Sequence, residues 1–233
     1  MLDSVPSATQ AQAAPGLFAP LRQASSWLID LLFPPRCAGC GRVDSEWCPA
    51  CQRDLQATPY PQHLIAHPPL MAIAATAPHR GVIRESVQAL KYNNARRVAV
   101  PLGARMAQHL AAQHWTIDMI VPVPLHTVRL AERGYNQSQL LGEQVARDMA
   151  LPHVPSALHR DRSTHSQVTV SAAERLINVK NAFSAVPDLV NNRTVLLIDD
   201  VFTTGATLSA CAEALLAAGA GAVYGLTVTA ARL

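Results

Sequence analysis

Val195-Leu-Leu-Ile-Asp-Asp-Val-Phe-Thr-Thr-Gly-Ala-Thr207 opens as an unbroken apolar run and then turns abruptly polar. A short apolar run without alternation is the mark of a strand buried on both faces. We read Thr194 to Ile198 as such a strand, Asp199 to Gly205 as a loop, and Ala206 to Ala218 as a helix with Leu208, Cys211, Ala212 and Leu215 on one face. Gly219 stops the helix and Val223 to Val228 supplies the next strand. The segment is one right-handed strand–helix–strand crossover, the unit of a parallel α/β sheet.

In such a sheet ligands bind beyond the carboxyl ends of the strands, where Asp199, Asp200 and the turn from Thr203 to Thr207 fall. The successive N–H groups of Thr203, Thr204, Gly205, Ala206 and Thr207 and the positive end of the following helix can cradle an anion. Gly205 allows a close approach and the threonine hydroxyls add donors. Two adjacent carboxylates repel a phosphate and need another partner: vicinal ribose hydroxyls, or a magnesium ion bridging pyrophosphate and sugar. A 5-phosphoribose carries both features. The plainer alternative is an ordinary strand-to-helix turn with solvated aspartates. Neither a Gly-x-Gly-x-x-Gly fingerprint nor a Gly-x-x-x-x-Gly-Lys-Ser/Thr loop is present, which argues against dinucleotide and P-loop sites.

Working outward, Ile83, Val87 and Leu90 mark one helix, Pro101 opens another that ends near His114, and Met119 to Val123 reads as a strand. Asn136 caps a helix carrying Leu140, Leu141, Val145 and Met149, and Ser171-Ala-Ala-Glu174 is a capping box for a shorter one. From residue 79 onward helices alternate with short apolar runs, so residues 79–233 are expected to form the α/β domain. Eleven of the seventeen prolines precede residue 79, which predicts irregular structure with short elements at most. Residues 1–20 read as a disordered tail. Residues 21–78 read as an amphipathic helix from Leu21 to Phe33, with Trp27, Leu28, Leu31 and Leu32 on one face, followed by a cysteine module.

Cys37-Ala-Gly-Cys40 and Cys48-Pro-Ala-Cys51 are two Cys-x-x-Cys knuckles. Each can present two thiolates to one ion, giving a closed and therefore structural tetrahedral zinc site; paired redox motifs are the alternative. Cys211 belongs to a buried helix face. His63 and His67 are readable as extra ligands, but four sulfurs complete the shell and surface positions are expected for both.

Composition narrows the classes further. Charged residues are 15% and aromatics 5%, so neither a polyelectrolyte nor an aromatic platform for single strands is indicated, and the net charge of +3 does not itself call for nucleic acid. Seventeen of the nineteen basic residues are arginine, which suits bidentate phosphate contacts but equally follows from a compositional bias. Arg80, Arg84, Lys91, Arg96, Arg97 and Arg105 form a basic stretch able to contact phosphates of ligand or DNA, or simply a solvated face. There is no run of eighteen apolar residues for a membrane span and no signal-peptide pattern, so a cytoplasmic location is expected.

The Val195–Thr207 stretch closely resembles the phosphoribosyl pyrophosphate signature of the type I phosphoribosyltransferases. Pro122-Val-Pro-Leu-His126, Glu132-Arg-Gly-Tyr-Asn-Gln137, Arg160-Asp-Arg-Ser-Thr164 with Gln167, and then Arg175, Asn178 and Phe183, are similar to the ComF competence-protein family within that superfamily. The resemblance implies a type I phosphoribosyltransferase-like sheet behind a Cys₄ zinc module, and Mg²⁺-dependent binding of phosphoribosyl pyrophosphate or a related nucleotide. It implies that the loop of Val123, Pro124, Leu125 and His126 meets pyrophosphate through its backbone amides, and that Arg160 and Arg162 lie on a closing loop where their charge stabilises the leaving group, a plain solvated loop being the alternative. His126 is equally readable as a solvated residue at a strand end. Two functions follow: a transferase with an unassigned acceptor, or a sensing module that contacts single-stranded DNA or a DNA-uptake protein.

Overall fold

Residues 34–43, 45–160 and 182–231 are described by a computed structural model of the protein. The expected tail, the helix from Leu21 to Phe33, the Ser171 capping box and Arg162 lie outside the described residues. Apolar runs that cannot satisfy their own backbone groups assemble into a parallel sheet of four strands: β1 (Ile73–Pro78), β2 (Met119–Pro122), β5 (Thr194–Phe202) and β6 (Ala222–Ala230), ordered β1-β6-β5-β2. Because alternate residues of a strand face opposite ways, β5 feeds two cores. Leu196 and Ile198 pack with helices α2 (Gly81–Tyr92), α3 (Ala99–Ala111) and α5 (Gln137–Met149) on one side. Val195 and Leu197 pack on the other side with α7 (Ala206–Ala217), whose Leu208, Cys211, Ala212 and Leu215 are fully buried as their spacing predicts.

Between β2 and β5 the chain adds α4 (Thr127–Arg133), α5, an antiparallel ribbon of β3 (Leu158–Arg160) and β4 (Phe183–Ala185), and the short α6 (Pro187–Val190). Asn136 caps α5 as expected, its Oδ1 accepting from the Ser138 amide at 3.0 Å. The crossover β5–α7–β6 is also as read, with one difference. The strand does not stop at Ile198: its ladder runs on through Asp199↔Thr227, Val201↔Thr229 and Phe202↔Ala230. Asp199 and Asp200 are thus held by a strand, not a loop.

The sheet also draws on residues before 79. Ile73–Pro78 pairs with β6 from Ile73↔Gly225 to Pro78↔Ala230, so the proline-rich part of the chain supplies an edge strand. The cysteine segment, with helix α1 (Pro49–Ala57), belongs to the same compact unit, Arg36–Leu233. Arg105 of α3 is part of the reason. In the sequence it belongs to the basic stretch, yet it is only 5% exposed. Its guanidinium donates to the carbonyls of Leu55 at 2.9 Å, Thr58 at 2.8 Å and Thr76 at 2.8 Å, and lies 4.1 Å from the Tyr60 ring centroid. Tyr60 stacks in turn on His109 at 4.8 Å. The end of α1, the start of the irregular segment and β1 are tied to one side chain. Arg105→Met, which keeps the stem but strips these acceptors of their donor, is expected to cost on the order of 3 kcal/mol in chemical denaturation; an unchanged midpoint would remove that role.

Candidate functional site

At the carboxyl edge of the sheet Asp199, Asp200, Thr203 and Thr207 line a cleft of about 370 Å³, and Val123, Pro124, Leu125 and Arg160 line it with them. The first group comes from the end of β5 and the start of α7, the second from the loop after β2 and the end of β3. Chain segments far apart in sequence therefore meet at one place. Asn136 fastens two of them: it caps α5 and its Nδ2 donates to the Val123 carbonyl at 3.0 Å.

The two carboxylates have unlike surroundings because neighbouring strand residues point apart. Asp199 Oδ1 accepts from Ser138 Oγ at 3.0 Å and from the Asp200 amide at 2.9 Å. Burial raises the Asp199 pKa most and the Asp200 charge adds to it, while the Asp200 amide, Lys91 and Ser138 pull it back; the result is about 7. Asp200 is 3% exposed and its Oδ1 lies 2.6 Å from Lys91 Nζ. Its Oδ2 is buried with no hydrogen-bond partner among the described residues. A carboxylate with one unpartnered oxygen, on a residue that lines the cleft, suits a cation or a sugar hydroxyl. His79, just past β1, places Nδ1 2.8 Å from Thr229 Oγ1, and burial, then Lys91 and Arg84, lower its pKa.

Other expected residues stand differently. Arg160 sits on a strand of the ribbon rather than a loop, its guanidinium 5.4 Å from the Phe183 ring centroid. His126 caps α4, accepting from the Val128 amide at 3.2 Å, so its imidazole is already engaged. Thr203 and Thr204 are exposed, and Gly205 begins α7 with φ +78°. A Cβ there would lie 2.1 Å from His67 Nε2. His67 is therefore not the surface residue expected: it is half-buried against the turn and meets the Phe202 ring edge-on at 5.4 Å. Lys91, which the sequence places in the basic stretch able to contact phosphates, lines the cleft too, as do His79 and Ser138, which nothing in the sequence marks for the site.

The cysteine knuckles form a second centre. The Sγ atoms of Cys37, Cys40, Cys48 and Cys51 all lie within 4.8 Å of one another, close to the roughly 3.8 Å edge of a tetrahedral zinc–sulfur shell. Burial opposes ionisation of Cys37, but amides of Cys48, Gly39 and Cys40 outweigh it and draw the thiol down to about 6. Such N–H donors suit a thiolate ligand. A side chain on Gly39 would collide with Val82 Cγ2 at 2.5 Å and Cys51 Sγ at 2.7 Å. The donor set fits a structural zinc with no open position.

Two family models match the chain. Residues 28–62 match a double zinc ribbon domain and residues 95–232 a phosphoribosyl transferase domain. The chain is 32% identical over 197 residues to the DNA utilization protein YhgH of Escherichia coli, covering 80% of this chain and 85% of that one. The chain belongs to the ComF family. It is 40% identical over 100 residues to competence protein F of Haemophilus influenzae, covering 42% of this chain and 44% of that protein. It is 35% identical over 104 residues to competence protein ComFC of Bacillus subtilis, covering 45% and 40% respectively. Among solved structures, the glutamine phosphoribosylpyrophosphate amidotransferase from B. subtilis matches with a TM-score of 0.42 and 22% identity over 65% of this chain and 29% of that one.

This ComF-family protein is expected to carry one zinc per chain when purified without chelator, lost in Cys37→Ser with Cys40→Ser; a metal content near zero in the wild type would remove the site. Metal loss should also unfold the knuckles, because binding and local folding are one free energy. A second expectation concerns Asp199. Between its ordinary value of 3.8 and about 7 the folded protein holds a proton that the unfolded chain has released, so its contribution to stability falls as pH rises through that window. The stability difference between Asp199→Asn and wild type should grow toward higher pH in favour of the variant; denaturation curves showing a pH-independent difference would contradict it.

Proposed function

We propose that the cleft binds phosphoribosyl pyrophosphate with Mg²⁺ and that the protein serves DNA uptake or utilisation. One observation carries the reading: two carboxylates, an anion-cradling turn, a loop of backbone amides and an arginine line one cleft at the ligand edge of a parallel sheet. The Thr203–Thr207 amides and the end of α7 receive the 5-phosphate. Asp199 and Asp200 accept from the ribose hydroxyls or contact the metal, and the amides of Val123 to His126 face pyrophosphate. Arg160, with Arg162, offsets charge on the leaving group. Magnesium, when bound, neutralises pyrophosphate.

The DNA role rests on the names of the relatives, the competence and DNA utilization proteins. Direct contact with single-stranded DNA is electrostatic in this reading and falls steeply with salt. The basic stretch supporting it is smaller than its residue count: Arg105 is buried, Lys91 is in the cleft, and Arg97 pairs with Glu46 at 3.1 Å.

Calorimetry with and without Mg²⁺ should show phosphoribosyl pyrophosphate binding, weakened about ten- to a hundredfold in Asp199→Asn and Asp200→Asn through loss of a charged hydrogen bond. Gly205→Val should do more harm, since it strains the positive φ and drives a side chain into His67. Cys211→Ser, on the buried face of α7, should leave affinity unchanged. Equal affinity across wild type, both aspartate variants and Gly205→Val would place the ligand elsewhere. Pyrophosphate release against a panel of acceptors then separates the two classes: release identifies a transferase, and binding without release identifies a sensing module.

A further inference from the structure

Lys91 is one of two lysines in a chain with seventeen arginines, and it stands in the last turn of α2 with its ammonium in the cleft. Its side chain is 22% exposed and Nζ lies 2.6 Å from Oδ1 of Asp200, whose side chain is 5% exposed. The other oxygen, Oδ2, is buried and has no hydrogen-bond partner among the described residues. The pair thus closes half of a carboxylate and leaves the other half without a partner, on a residue that lines the cleft together with Thr203 and Thr207. A complete structural salt bridge would satisfy both oxygens, since a buried carboxylate with an orphaned acceptor is costly. A pair left half-satisfied at a cleft is suited to changing partners. Lysine fits that use: its ammonium is a compact charge on a flexible stem with rotatable donors, whereas a guanidinium would lock the carboxylate in a planar fork.

We infer that Lys91 and Asp200 are an exchangeable pair, joined to one another until ligand loading parts them, when a divalent cation takes Asp200 and the displaced Lys91 ammonium turns to the pyrophosphate group. This rests on the proposed phosphoribosyl pyrophosphate site and adds to it a pyrophosphate-binding residue. The exchange explains how one cleft holds carboxylates for a cation and a positive charge for an anion without either being left unpaired before the ligand arrives. It also makes the two ligands depend on the pair in opposite ways.

That opposition is the test, made by calorimetry on the full 233-residue chain with three titrants: Mn²⁺ alone, pyrophosphate without metal, and phosphoribosyl pyrophosphate with Mg²⁺. Lys91→Met frees Asp200 and should bind Mn²⁺ about tenfold more tightly and metal-free pyrophosphate about tenfold more weakly, the size of one charge-assisted bond. Asp200→Asn, which leaves no bare buried carboxylate and so is the safer variant to fold, should shift both titrants the other way. Parallel shifts of the two titrants within either variant, or no shift in Asp200→Asn, would make the pair purely structural and overturn the exchange, as would a wild type that binds neither Mn²⁺ nor pyrophosphate. Wild-type binding of phosphoribosyl pyrophosphate with no opposed shifts would overturn the exchange and leave the proposed function standing. Opposed shifts in a protein that binds no phosphoribosyl pyrophosphate would do the reverse.

Discussion

Everything at the ligand edge depends on the β5 ladder staying paired past the hydrophobic core. Its backbone remains bonded to β6 through Phe202↔Ala230, so two charged residues are carried out of the apolar layer on a strand rather than on a loop. A strand fixes side-chain direction in a way a loop does not: Asp199 meets Ser138 while Asp200 meets Lys91. The turn that follows then needs one left-handed residue to swing the chain into α7, and Gly205 supplies it at φ +78°. His67 packs where a side chain would be, so the same glycine answers to geometry and to packing.

The zinc centre bears on this edge through a different part of the chain. Two knuckles and one short helix cannot bury a core of their own, and the metal takes the place of one. What ties them to the sheet is the Arg105 guanidinium, which holds carbonyls at the end of α1 and on β1. A buried cation without a carboxylate is tolerable here because several carbonyl dipoles and the Tyr60 face share it. β1 in turn leads directly into His79 and α2, the elements that bring His79 and Lys91 to the cleft. Metal module and ligand edge are thus joined through the first strand.

Much of this was legible in the residues. The apolar run before Asp199, the Asn136 cap and the cysteine spacing each encode local structure through short-range chemistry, and each stands where it was read. The parts that were not legible share a cause. Lys91 looks like any basic residue at the end of an amphipathic helix, because nothing in its neighbours says that α2 ends beside β5. Arg105 follows the charge pattern of a solvated face, yet it is buried by a segment some fifty residues upstream. β1 lies in a stretch dense in proline, whose breaker signal outweighed the run from Ile73 to Ala77; an edge strand tolerates a closing proline, as at Pro78. His67 has no role in the sequence pattern once four sulfurs suffice for zinc, whereas in the fold it packs against the Gly205 turn and Phe202.

Charge accounting at the cleft gives the last constraint on what it can hold. Among the described residues that line it, Lys91 and Arg160 carry positive charge and Asp199 and Asp200 are the acids, while burial disfavours the charged form of His79. The wall is therefore close to neutral, and it becomes more negative as Asp199 ionises near pH 7. A polyphosphate entering such a site gains little from net attraction; the amides of the turn and the dipole of α7 orient it but do not balance several charges. The ligand proposed above would bring its own cation, and a metal–pyrophosphate complex would offer a positive centre to the carboxylates and leave anionic oxygens for Lys91 and Arg160. In that proposal two acids beside the turn are the means by which a metal-bound anion is preferred over a bare one.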